Sequence, residues 1–137
     1  MNADFLDAHR RHLRDADALF TASRWANADH LYGMAAECGL KRLMMAFGME
    51  TDNQGTPKNR RDWIHAEKVW ARYDAYRSGH VEGLQYGLPP TNPFNDWSAS
   101  QRYAPEQYFD PVRVEPHRIG AHAVADCVKN AERAGLL

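Results

Sequence analysis

The sequence is poor in cysteine, in long apolar runs and in net charge. It has two cysteines, Cys38 and Cys127, too few for a disulfide framework, so a reducing compartment is favoured. The longest apolar run, 43–47, is far shorter than the roughly 20 residues that span a bilayer. No apolar stretch typical of a signal peptide follows Met1. We therefore expect a cytoplasmic protein with no membrane association.

Neither sign of charge dominates the chain. The 17 Lys and Arg residues nearly balance the 18 Asp and Glu residues, which gives a net charge of -1. This balance argues against a protein that coats nucleic acid or an anionic membrane by bulk electrostatics. The apolar share of 44% is enough to build the core of one domain, and we expect a single domain over residues 1–137.

The motifs of several enzyme classes are missing. There is no G-x-S-x-G, P-loop or dinucleotide-binding glycine pattern. Zinc-site spacing is also missing, since His117 and His122 are five residues apart and neither cysteine belongs to a C-x-x-C pair. We predict no metal and no cofactor. The alternative is a metal site on His9 and His12, with a third ligand from His30 or His122.

Apolar residues recur at helical spacing in four parts of the chain, and no part alternates as a strand does. The pattern predicts four main helices, which begin near Leu6, Arg24, Asn59 and His117. The second helix, about Arg24 to Gly48, has the widest apolar face, so we expect it to lie between its neighbours. The sequence therefore predicts an all-α fold, a four- to five-helix up-and-down bundle.

A long loop rich in glycine, proline and aromatic residues is predicted before the last helix, over residues 78–115. Its five prolines exclude a long regular helix. Within it, Asp96, Trp97, Arg102 and Tyr103 combine a carboxylate, a fixed cation and flat rings. Because arginine binds phosphate and an aromatic ring stacks on a base, we predict that these four residues bind a ligand. The alternative is a loop that Trp97 and Tyr103 attach to the bundle.

The second predicted helix carries a pair of opposite charges. Glu37 and Lys41 are four residues apart in the favourable order for a helical ion pair. If the pair is partly buried and faces the long loop or another subunit, it belongs to a ligand-binding site. The alternative is an ordinary ion pair on an exposed helix face.

Three runs of sequence resemble the first helical hairpin of HEPN domains. They are an Ala/Leu helix at 15–20, an Arg-aromatic turn followed by small residues at 23–31, and the pattern A-x-E-x-x-L-K-x-L at 35–43. Further along, Arg102 and Tyr103 resemble the Arg-Tyr-Pro segment of that family, with Ala104 in place of the proline. The resemblance covers most of the chain and is strongest over 15–43.

The resemblance implies a helical bundle that is commonly a homodimer. It also implies RNA cleavage, nucleotide or RNA binding, or a role in toxin–antitoxin and defence systems, with a partner protein such as a nucleotidyltransferase. HEPN ribonucleases carry an Arg, four to six residues and then a His near the start of a late helix. Here three residues separate Arg113 from His117, and four separate Arg60 from His65, a pair that lies far ahead of the last helix.

These departures make binding the leading interpretation: a module that binds a nucleotide, RNA or a protein partner. A second interpretation is a metal-independent endoribonuclease in which Arg113 and His117, or Arg60 and His65, serve as the catalytic pair across a dimer interface. In such a pair the Arg stabilises the charge on phosphorus while the His moves the proton. A third interpretation is a structural partner subunit without a ligand site.

Overall fold

Four long helices dominate the computed structural model, which describes all 137 residues. Their bounds are α1 Phe5–Thr21, α2 Trp25–Ala46, α3 Ala66–Ser78 and α4 Pro111–Arg133, and short 3₁₀ turns lie at 60–62, 82–86, 99–103 and 106–108. The only β-type pairing is an isolated bridge between Thr51 and Pro57. The predicted all-α bundle is therefore confirmed. No helix combines the length and the apolar character that crossing a membrane requires.

The first two helices form a hairpin, and α2 is the central element of the bundle. The carboxylate of Asp4 caps α1 by accepting hydrogen bonds from the N–H groups of Leu6 and Asp7, at 3.1 and 3.0 Å. The chain reverses at Ser23, which has a positive φ of 60°. Helix α2 packs against α1, α3 and α4. Its wide apolar face predicts this central position.

The third helix starts later than predicted, at Ala66 instead of Asn59. Asn59 caps only the short turn at 60–62, where its side chain accepts a hydrogen bond from the N–H of Arg61. The reason lies in Asp62, which is buried and accepts hydrogen bonds from Arg72 and Tyr76 of α3, at 2.6 and 2.7 Å. These bonds fold the 60–62 turn back against α3, so the two segments cannot form one continuous helix.

The last helix starts earlier than predicted, at Pro111 instead of His117. The side chain of Asp110 accepts a hydrogen bond from the N–H of Arg113 at 2.8 Å and so caps the helix. Pro111 occupies the first turn, where a missing N–H costs nothing because that group has no partner within the helix. Pro111 therefore begins α4 and does not belong to the preceding loop, which the sequence predicts to extend to residue 115.

The long segment between α3 and α4 packs into the bundle through its aromatic side chains. Phe94 and Trp97 are buried, and the Trp97 indole donates to the backbone oxygen of Asp29 in α2 at 3.0 Å. Gly33 makes room for the indole, since a Cβ at that position would overlap its ring. The segment is therefore attached to α2 by a buried ring, which is the alternative predicted for Trp97.

We expect Gly33→Ala to lower the free energy of unfolding by about 1–3 kcal/mol, because the added methyl group must displace the Trp97 ring. Urea denaturation followed by circular dichroism measures this. Gly79→Ala is the matched control: its Cβ would meet no atom closer than 3.6 Å, so the change should stay within about 0.5 kcal/mol. An unchanged stability of Gly33→Ala would contradict the packing of Trp97 against α2.

Candidate functional site

Four charged side chains from three parts of the chain meet beside α2, and we call them the Asp29–His117 cluster. Its members are Asp29 of α2, Asp96 of the long loop, and Arg113 and His117 of α4. The His117 ring bonds to both carboxylates, through Nδ1 to Asp29 Oδ1 at 2.5 Å and through Nε2 to Asp96 Oδ1 at 2.7 Å. The predicted catalytic pair and the predicted ligand residue Asp96 therefore lie together.

Helix geometry and the loop hold this cluster together. Arg113 and His117 are four residues apart in α4, so they share one face. Arg113 donates from Nη2 to the backbone oxygen of Asp96 at 2.8 Å, and its Nε lies 3.9 Å from Asp29 Oδ2. Gln101 donates from Nε2 to the same Asp29 oxygen at 2.6 Å. Every oxygen of the Asp29 side chain therefore has a polar partner.

The cluster pairs two acids with two bases in a water-poor environment. Burial lowers the pKa of His117, but hydrogen bonds and charge interactions with Asp29 and then Asp96 outweigh it, so the pKa is raised above 6.5. Burial raises the pKa of Asp96, yet the bond and charge of His117 and the charge of Arg113 lower it overall. The arrangement thus favours an imidazolium between two carboxylates, with Arg113 balancing the second negative charge.

Access to the cluster is limited to its outer side. His117 and Asp29 are fully buried, whereas 64% of the Asp96 side chain and 30% of the Arg113 side chain are exposed. Phe94 stacks on the His117 ring, with centroids 5.3 Å apart, and closes another side. Since both ring nitrogens are bonded to carboxylates, His117 can exchange a proton with a ligand only after Asp96 moves away.

The predicted ligand residues Arg102 and Tyr103 lie at the surface. The Arg102 guanidinium lies 4.7 Å from the centroid of the Tyr103 ring, and its Nη1 donates to the backbone oxygen of Ala99 at 2.8 Å. Arg102 lines a pocket of about 270 Å³ with Arg24 at the start of α2. Gln101 also lines this pocket, so the pocket adjoins the Asp29–His117 cluster.

The other predicted ligand residues, Glu37 and Lys41, form a separate site. Both are buried, and Lys41 Nζ donates to Glu37 Oε1 at 2.8 Å. The alternative of an exposed ion pair is therefore wrong, because the neighbouring elements cover this stretch of α2. The second carboxylate oxygen of Glu37 lies 3.0 Å from His65 Nδ1. Trp97, in contrast, is buried in the core and offers no ring face to a ligand.

Sequence reasoning missed Asp29, Gln101 and the part played by His65. Asp29 had a usable signal, because residues four and seven positions later, Gly33 and Ala36, share its helical face and are buried. An acid on an apolar stripe needs a buried partner. Gln101 had no such signal, since only the folded loop brings it to Asp29.

The structure does not form the alternative metal site. No group of three or more His, Cys, Asp or Glu side chains is arranged so that it could hold a metal ion. His9 in particular faces the bundle interior, where its Nδ1 lies 2.8 Å from the backbone oxygen of Ala35.

Comparisons of the chain with family models, with curated proteins and with solved structures found no match. The resemblance to HEPN domains therefore stays a prediction. The site has to be interpreted from its own geometry.

We expect His117→Asn to lower the free energy of unfolding by about 3 kcal/mol in acidic solution, because it leaves Asp29 buried without its closest charged partner. The raised pKa fixes the sign of the pH dependence. The stabilisation by His117 is complete below the unfolded-state pKa of about 6.5 and is lost as the pH rises through the higher folded-state pKa. Urea titrations of the wild type and of His117→Asn between about pH 5 and pH 9 measure this loss of stabilisation.

The quantity to follow is the difference in the free energy of unfolding between the wild type and His117→Asn at each pH. Burial lowers the pKa values of His9, His12 and His30, so these residues reduce stability as the pH falls, in the variant as in the wild type. Subtraction removes this shared contribution. A difference that grows with rising pH would contradict the assigned charge state of His117.

Proposed function

We propose that this protein is a helical module that binds single-stranded RNA, with phosphate contacts at Arg24 and Arg102 and base stacking on Tyr103. The observation that carries the proposal is the exposed Arg102–Tyr103 stack beside the pocket at the start of α2. Tyr103 is 77% exposed, so one face of its ring is free for a base. The stack and the pocket form one surface, which we call the Arg102 surface.

The electrostatics of the Arg102 surface favour an anion. Neither Arg24 nor Arg102 forms an ion pair, and Glu106 is the one acid that lines the pocket. Arg24 is the N-cap residue of α2 but makes no side-chain capping bond, so the positive end of the helix faces the pocket uncapped. A local excess of positive charge of this kind needs no positive net charge on the whole chain.

The neighbouring turn adds a second exposed ring. Tyr108 follows Tyr103 by five residues and is also largely exposed. Stacking on aromatic rings tolerates any base, and arginine contacts to phosphate carry no sequence information. The surface therefore favours single-stranded RNA with little sequence preference.

We expect Tyr103→Ala to weaken RNA binding by about 5- to 100-fold, because one stacked base contributes about 1–3 kcal/mol. Arg102→Ala should weaken binding, and it should reduce the slope of log K against log salt concentration by about one, because one phosphate contact is lost. Fluorescence anisotropy with a labelled RNA of about 12 nucleotides, repeated at several salt concentrations, measures both effects.

Arg133→Ala is the matched control, since Arg133 is an exposed arginine at the opposite end of α4 from Arg113. This variant should bind like the wild type. Failure of the wild type to bind the RNA, or equal losses in Arg102→Ala and Arg133→Ala, would contradict the proposal.

A metal-independent endoribonuclease is the second candidate, and the proximity of Arg113 and His117 favours it. Arg113 is partly exposed and could contact a phosphate, but His117 is closed off by Asp96. Catalysis by this pair therefore requires Asp96 to leave. The alternative pair is less well placed, since Arg60 packs over Trp63 while His65 bonds to Glu37.

If this candidate is correct, the wild type cleaves RNA in the presence of EDTA and Arg113→Ala abolishes cleavage. Asp96→Ala should then raise the cleavage rate, because it frees His117 Nε2 for proton transfer. Gel analysis of a single-stranded RNA substrate measures all three. Absence of cleavage in the wild type and in Asp96→Ala would reject the endoribonuclease and leave the binding proposal intact.

The homodimer and the partner protein, such as a nucleotidyltransferase, stay predictions. An apolar surface on α4 is available for such a contact. Its exposed side chains, Val112 and Ile119, are seven residues apart and flank Pro116. A structural partner subunit would use this surface and not the Arg102 surface.

A further inference from the structure

A second group of charged residues lies on the other half of α2, and we call it the Glu37–Lys41–His65 cluster. Glu37 and Lys41 are each only 6% exposed. The Glu37 carboxylate accepts from Lys41 Nζ through one oxygen, at 2.8 Å, and lies 3.0 Å from His65 Nδ1 through the other. None of these residues belongs to the Asp29–His117 cluster or to the Arg102 surface.

The two clusters differ in how fully their donors are used. In the Asp29–His117 cluster both ring nitrogens of the histidine are bonded. Lys41 carries three N–H donors, and Glu37 accepts one of them. The ammonium group also lies over the Phe5 ring, with the centroid 5.8 Å from Nζ. A buried ammonium with unused donors needs a further acceptor.

Lys41 reaches a surface pocket that can supply this acceptor. The pocket has a volume of about 390 Å³ and is lined by Lys41, Thr56, Pro57, Trp63, Ile64 and His65. Its volume falls within the range of about 300–1,000 Å³ that is usual for small-molecule sites. The bond to Glu37 occupies His65 Nδ1, while Nε2 has no protein partner and the ring is half exposed. The pocket is therefore lined by Lys41, which has unused donors, and by His65, whose Nε2 is a donor when both ring nitrogens carry protons.

Trp63 forms a flat wall of the pocket. The residue is 57% exposed, although its Nε1 is fixed by donation to the backbone oxygen of Pro57 at 2.8 Å. The Arg60 guanidinium lies over the ring, 5.5 Å from its centroid. An exposed indole that is already held in place stacks on a planar ring at little cost in conformational entropy.

Two arginines lie close to the pocket along the chain, and the carboxylate of Asp52, on its other side, accepts hydrogen bonds from the N–H groups of Gln54 and Thr56. Arg60 and Arg61 are exposed and form no ion pair, while the nearby acid Asp62 is neutralised by Arg72. His65 is the N-cap residue of α3 and makes no capping bond, so the positive end of that helix adjoins the pocket. With Glu37 neutralised by Lys41, the chemistry of the pocket selects an anion.

We propose that this pocket binds a nucleoside monophosphate. The planar base stacks on Trp63, and the phosphate accepts hydrogen bonds from Lys41 and from the Nε2–H of a His65 ring that is protonated at both nitrogens. A phosphate is favoured over a carboxylate because its three terminal oxygens can serve donors that come from two helices and from the Thr56 hydroxyl. This site is independent of the proposed RNA-binding surface.

Titration of ¹⁵N-labelled protein with 5′-AMP tests the proposal, with the indole N–H signal of Trp63 as the reporter. The signal, assigned by its loss in Trp63→Phe, should shift and saturate below about 10 mM ligand. Ribose 5-phosphate and adenosine each supply half of the recognition and should bind more weakly than 5′-AMP. No shift of the Trp63 signal, or equal affinity for adenosine, would overturn the proposal.

Calorimetry with two variants locates the site without the indole reporter. His65→Ala should weaken 5′-AMP binding about tenfold, as expected for a lost hydrogen bond to a charged group. His80→Ala is the matched control, because His80 is an exposed histidine outside the pocket, and it should leave the affinity unchanged. Equal effects of the two variants would overturn the assignment. If His65→Ala does not fold, the titration of the wild type with 5′-AMP, followed through the Trp63 signal, still tests the proposal.

A third variant separates this site from the RNA-binding proposal. Tyr103→Ala should retain the 5′-AMP-induced shift of Trp63 whether or not it loses RNA binding. Loss of the shift in Tyr103→Ala would mean that 5′-AMP acts through the Arg102 surface, and it would overturn the separate pocket. Failure of RNA binding alone leaves this pocket unaffected.

Discussion

The burial of one carboxylate, that of Asp29, determines how the rest of the molecule is arranged. An ionised acid inside a helical bundle is stable only when charged and hydrogen-bonding partners surround it. Here α4 supplies His117 and Arg113, and the long loop supplies Gln101. Because the partners come from different segments, satisfying this one side chain joins the loop and the last helix to α2. The bundle and the loop are therefore held by the same interaction.

The helices could be predicted from the sequence because their apolar periodicity is local information. The starts of α1 and α2 could be predicted to within one residue, and Asp110 with Pro111 is a local signal for the start of α4 that apolar periodicity does not detect. The start of α3 could not be predicted, since it depends on contacts between α3 and the preceding turn. Asn59 is a good cap by residue type, yet the pairing of Asp62 with Arg72 and Tyr76 ends its helix after one turn. At the site, helical spacing places Arg113 beside His117 only once α4 is known to begin at Pro111, because the predicted helix begins at His117. The burial of Trp97 and the contact of Asp96 with His117 depend on the path of the loop, which no local sequence pattern predicts.

The two charged groups along α2 show what distinguishes a structural cluster from a binding site. Around Asp29 every polar atom is matched, so the charges cancel and the group contributes to the architecture. Around Glu37 the acid is matched, but Lys41 and His65 keep nitrogen sites without a protein partner, and both residues line a pocket. A surplus of unmatched donors, and not the presence of charge, marks the place where a ligand can bind.

The separation of Asp29 from His117 along the chain has a consequence for biosynthesis. The two residues are 88 positions apart, so a nascent chain that already contains α1 and α2 still lacks the base that neutralises its buried acid. In a chain that ends before residue 97 the groove beside Gly33 has no ring to fill it, and Asp29 has no His117 partner before α4 is made. A hairpin of α1 and α2 alone therefore lacks two of the contacts that hold α2 in the complete bundle.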